Sequence, residues 1–157
     1  MTDILNLDGG QPELSLRENA RAILPAVLEA FYAHPSNTDP ETLHQLRIAA
    51  KRLRYSLEFF EICYGKRLAR SLDLMASLQE LLGHVHDCDV MIEYLNRRYD
   101  KLAARRATPE LLSGLNLLIA DFQLKRKQLA AEFVTLWRRK FNRGFKTRLL
   151  KLLARPA

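Results

Sequence analysis

The chain is 157 residues long, enough for one domain and short for two. With 48% hydrophobic and 27% charged residues it can build a core, which excludes a disordered tail, and only six glycines and six prolines argue against a loop-rich β fold. A net charge of +7 points to an anionic partner. Cys63 and Cys88 have neither metal spacing nor a disulfide framework, which suits a reducing, cytoplasmic compartment. No apolar run reaches the roughly 18 residues of a membrane span, and the acidic start lacks the basic region of a signal peptide.

Residues 1–12 end in Gly9-Gly10-Gln11-Pro12 and read as a flexible leader; residues 13–157 read as one domain. Ser15-Leu-Arg-Glu18 has the form of a capping box and opens a helix to about Ala33, with a kink expected at Pro25. After a loop over residues 34–38, Asp39 is the expected N-cap and Pro40 the first residue of a second helix running to about Cys63. A third segment covers about 67–104, with a break or close contact at Gly83. Thr108-Pro109 repeats the cap-then-proline start for a long helix to about Lys140, and a short helix follows near 145–154. No β-branched run of period two occurs. The fold class is therefore all-α, an antiparallel bundle of about four long helices plus a short C-terminal one.

Charge is uneven along these elements. Residues 1–43 carry a net −5 and residues 101–157 a net +11, more than pairing within the chain obviously absorbs. The most informative stretch is His44-Gln-Leu-Arg47-Ile-Ala-Ala-Lys51-Arg52-Leu-Arg54-Tyr55. At about 100° per residue, His44, Arg47, Lys51, Arg54 and Tyr55 share one face over about 15 Å of axis. Leu43, Leu46, Ala50, Leu53 and Leu57 form the apolar stripe beside it. A basic row without interleaved acids suits a polyanion held against the helix; the plain alternative is a solvated face. Arg52 points away from Arg54 and suits a neighbouring element or a second subunit.

His44-x-x-Arg47-x-x-x-Lys51-Arg52-Leu-Arg54-Tyr55-x-x-Glu58-Phe59-Phe60, followed by Leu78-Gln79-x-x-Leu82-Gly83-x-x-x-Asp87-x-Asp89-Val90, resembles the CHAD domain, the conserved histidine α-helical domain. The resemblance covers about residues 40–100 and is to the second of the family's two similar helical halves. It implies a helical groove or pore whose basic residues bind inorganic polyphosphate, with His44, Arg47, Lys51, Arg52 and Arg54 matching the basic motif. It also implies that Gly83 permits close helix contact and that Asp87 pairs with a basic neighbour, here taken as an arginine of the second helix. His86 is a further donor at the groove rim.

The chemistry agrees with that implication. Polyphosphate has no bases, so recognition rests on cations and donors: arginine forks, lysine point charges and, when protonated, His44. The other reading of His44 is a neutral histidine hydrogen-bonded within the bundle. Arg139, Arg143 and Lys146 recur at i, i+4 and i+7 and would add to the groove if Gly144 leaves the helix intact. Within Gly83-His84-Val-His86-Asp87-Cys88-Asp89, His84 and His86 lie about 200° apart on a helix, so they do not chelate one ion together, and no metal or cofactor is expected.

No phosphate-cradling glycine loop and no nucleophile with an apparent base is visible, so a non-enzymatic module is expected. The alternatives are a nucleic-acid-binding helical protein, against which the absence of a helix-turn-helix or RNA-binding signature counts, and a scaffold docking an acidic protein. A chain with one half of a two-half groove is expected to form a homodimer, and association with polyphosphate granules would follow from the ligand.

Overall fold

The computed structural model describes residues 11, 13–33 and 37–154, all of them helix or short connection. Nearly all of the expected leader and most of the loop after Ala33 lie outside these residues. Helix α1, Leu16–Tyr32, starts at the expected capping box: the Ser15 hydroxyl accepts from the Glu18 N–H while the Glu18 carboxylate accepts from the Ser15 N–H at 2.8 Å. Those hydrogen bonds hold the Glu18 carboxyl below its usual range. Pro25 lies inside α1 without ending it.

Helix α2, Pro40–Phe59, begins as expected, with the Asp39 carboxylate accepting from the Thr42 N–H at 2.9 Å and Pro40 in the first turn. It stops four residues before Cys63. At Phe60 the backbone leaves the helix, so this ring drops into the core at 1% exposure, and a one-turn helix α3, Glu61–Tyr64, follows. A 3-10 turn over Gly65–Arg67, entered through Gly65 at φ 58°, leads into α4.

Helix α4, Ala69–Ala104, runs 36 residues and passes through Gly83 unbroken. A Cβ at Gly83 would meet nothing within 4 Å, so neither the expected break nor the expected close contact occurs there. Helix α5, Pro109–Lys140, starts from the Thr108 cap. Helix α6, Arg143–Ala154, starts where the Asn142 carboxamide accepts from the N–H groups of Gly144 and Phe145, at 3.0 and 3.3 Å.

The core follows the predicted stripe. Leu43, Leu46, Ala50, Leu53 and Leu57 of α2 are buried against α1 and α4. Phe31, Phe133, Trp137, Phe141 and Phe145 join α1, α5 and α6 through ring contacts of 5.0–6.0 Å. Each fully buried phenylalanine contributes roughly 1.5–3 kcal/mol. Two tyrosines tie the ends: Tyr32 donates to the Phe141 carbonyl at 3.1 Å and Tyr64 to the Leu153 carbonyl at 3.2 Å. Burial pushes both phenols above their usual pKa, Tyr32 far above it. Beyond Leu95 in α4 and before Ile119 in α5 no residue is buried, so the α4–α5 hairpin ends in a projecting arm.

Candidate anion-binding groove

Helix α2 runs antiparallel to α4 with the His44 and His86 rings 5.2 Å apart. Both helices rise about 1.5 Å per residue, so this pair sets the register: Arg47 is level with Gly83 and Lys51 with Gln79. The basic face expected on α2 thus runs alongside α4 as one wall of an α2–α4 groove, with Gln79, Gly83 and His86 of α4 opposite it. His44, Arg47, Lys51, Arg54 and Tyr55 are all half-buried. Gly83, lacking a side chain, keeps the groove open beside Arg47.

The polar groups of this groove are short of partners. Among the described residues, Arg47 and Lys51 have no ion pair. The Arg54 Nε lies 3.1 Å from the Glu58 carboxylate, and its guanidinium sits 5.2 Å over the Tyr55 ring. The buried Nε–H is nevertheless not aligned on an acceptor, and the buried Gln79 Nε2 also lacks one. Both atoms, like the Arg17 Nε, are closed to solvent and so are unpaired inside the packing, which leaves Arg47 and Lys51 as the half-exposed cations of this face without an ion pair among the described residues. Gln79 went unrecognised as a candidate in the sequence, although it stands in the second motif; its amide has no charge to draw attention.

The groove changes character at its ends. At the His44 end a cleft of about 490 Å³ is lined by His44, His86, Glu41, Asp89 and Glu93, so three carboxylates border the histidine pair. Glu58 stands at the other end. The cations therefore concentrate between them, at Arg47, Lys51 and Arg54.

Other expected participants lie elsewhere. Arg52 is exposed off the groove face. Arg139 lines a separate cleft between α4 and α5 with Leu81 and Glu132. The helix is interrupted at Phe141–Asn142, so Arg139 on α5 and Arg143 and Lys146 on α6 do not share one helical face. The cause is Asn142, whose side chain caps α6. Lys146 meets Glu29 of α1 at 2.6 Å and lies 5.4 Å over the Tyr32 ring, which commits it to the α1–α6 contact.

The aspartate assignment shifts by two residues. Asp87 is exposed and forms no ion pair among the described residues. Asp89 instead receives Arg126 of α5 at 2.5 Å, while the Arg126 Nη2 donates to the Thr38 carbonyl at 2.9 Å. Two residues on a helix are about 200° apart, so Asp89 and not Asp87 reaches the neighbouring elements. Among the described residues no three His, Cys, Asp or Glu side chains gather as metal ligands, and no helix is long and apolar enough to cross a membrane.

Comparison with known proteins fits this geometry. No curated protein and no solved structure matches the chain. The family model for the CHAD domain matches residues 6–96, which takes in α1, both walls of the groove and the His44–His86 pair. With more than half of its length matched in this way, the chain belongs to the CHAD domain family.

Proposed function

We propose that this protein is a non-enzymatic, cytoplasmic module that binds inorganic polyphosphate along the α2–α4 groove. The observation that supports the reading is the run of half-exposed cations Arg47, Lys51 and Arg54 on one face of α2, of which Arg47 and Lys51 form no ion pair among the described residues. A chain of phosphates matches a row of donors spaced along about 15 Å of helix. It makes no demand for base stacking or base-edge readout. Arginine contributes paired N–H groups to phosphate oxygens and lysine a compact charge. His44, its ring tilted against that of His86, closes the groove where the carboxylates begin.

The proposal includes association of two copies, which would double the aligned cations. The α4–α5 hairpin offers the surface, with Met91 and Tyr94 exposed just before the arm and Leu111 and Leu118 exposed on it. In a two-fold pairing of arms, Arg98 and Lys101 near one tip would approach Asp87 near the base of the other.

Competition binding tests the function. Long-chain polyphosphate is expected to bind more tightly than duplex DNA, RNA or ATP at near-physiological salt, with affinity falling steeply as salt rises. Replacing Arg47, Lys51 and Arg54 together by Glu is expected to abolish binding while far-UV helicity is retained. A Lys125→Glu/Lys127→Glu control on α5 is expected to weaken it less. Equal or tighter binding of duplex DNA, or equal loss in both variants, overturns the reading.

A further inference from the structure

A second concave site lies on the other side of α4. A cleft of about 140 Å³ opens between the start of α4 and α6, with Arg67, Arg70, Ser71 and Arg148 among its lining residues. Its floor is apolar: Phe145 and Leu149 are buried, and Leu74 and Leu152 half-buried. Among the described residues no carboxylate lines it, in contrast to the cleft beside His44.

Three exposed arginines line one cleft, so their like charges oppose one another there; the Arg148 guanidinium lies back over Gly144 at the start of α6. Among the described residues none of Arg67, Arg70 and Arg148 forms an ion pair with an acid. All three arginines are exposed, so their attraction for an anion is that of a solvated rim and weakens as salt rises. The same rim receives the start of a 36-residue helix whose N-cap, Leu68, provides no side-chain acceptor, so the positive end of its dipole adds to the field. The Ser71 hydroxyl adds a neutral donor.

We infer that this cleft is a distinct binding site for a tetrahedral phosphoryl oxyanion, held between the forks of Arg67, Arg70 and Arg148. Its size admits one or two phosphoryl groups and excludes a nucleoside. Two sources share this chemistry, free phosphate or pyrophosphate and the terminus of a longer phosphate chain. The site is separate from the groove: Leu74 in its floor faces α6, whereas Gln79 and Gly83 lie on the α2 side of α4. Its existence does not depend on the groove binding anything.

Calorimetric titration of the full chain at fixed ionic strength tests this. Inorganic pyrophosphate is expected to bind the wild type and the Arg47→Glu/Lys51→Glu groove variant alike. Binding is expected to weaken at least tenfold in Arg70→Ala/Arg148→Ala, and by a smaller factor when both become Lys, which keeps charge but loses the fork. Saturation by orthophosphate assigns the site to free phosphate; response only to pyrophosphate and longer chains assigns it to chain termini. In amide NMR spectra of the wild type, pyrophosphate is expected to shift residues 67–71 and 148. Unchanged affinity in Arg70→Ala/Arg148→Ala, loss in the groove variant alone, or shifts centred on residues 44–54 overturns the inference.

Discussion

Arg126 of α5 and Asp89 of α4 form a half-buried ion pair, each side chain 19% exposed, and the same guanidinium donates to the Thr38 carbonyl just ahead of α2. One side chain thereby joins three elements around the groove entrance. Arg126→Ala would leave a half-buried carboxylate without its partner, and a charged hydrogen bond of this kind contributes about 1.5–3 kcal/mol. A loss of about 2 kcal/mol in chemical denaturation is expected, with Asp89→Asn close behind. A double-mutant cycle showing no coupling between the two positions would refute the assignment.

Gly83 separates stability from binding. A Cβ there meets nothing within 4 Å, so Gly83→Ala is expected to stabilise α4 by about 0.5–1 kcal/mol through helix propensity alone. Gly83→Leu would also fold but would fill the groove level with Arg47, reducing polyphosphate affinity severalfold. Thermal melts and binding isotherms on both variants check this; unchanged affinity in Gly83→Leu means the ligand does not cross that point.

Tyr32 and Tyr64 predict an alkaline limit to stability. Their phenols are held above the ordinary value of 10.0, chiefly by burial, and each donates to a backbone carbonyl. In the unfolded chain they ionise near pH 10, while the folded phenols keep their protons to higher pH. Their contribution is therefore fully present below pH 10 and is lost as pH rises through the folded values. Denaturation midpoints measured from pH 8 to 11 should fall more steeply in the wild type than in Tyr32→Phe/Tyr64→Phe. Parallel curves would contradict this.

The arm and the stretch of α4 that leads into it carry the prediction about assembly. Tyr94 and Leu118, 50% and 49% exposed, are apolar surface that a second copy would cover. Light scattering at micromolar concentration is expected to show a mass near twice 18.1 kDa, strengthened by polyphosphate. Tyr94→Glu/Leu118→Glu should return it to the monomer mass. A monomer mass in every wild-type sample, with and without polyphosphate, ends the proposal.

Much of this molecule is local in origin and so legible in its residues. Ser15 with Glu18, Asp39 with Pro40, and Thr108 with Pro109 place three helix starts, because capping depends on a few adjacent backbone groups. Leu43 to Leu57 at helical spacing placed the buried face of α2, and the basic residues beside it followed by angle alone. What periodicity does not contain is which face meets which partner. Asp89 takes Arg126 where Asp87 had been expected to take an arginine of α2, since the choice rests on where α5 lies. Lys146 is claimed by Glu29, which lies 117 residues earlier in the chain. The orphan amide of Gln79, the open space at Gly83 and the convergence of Arg67, Arg70 and Arg148 arise only when helices remote in sequence pack side by side. Charge and capping are properties of a segment; an unpaired donor or a shared cleft is a property of the packing.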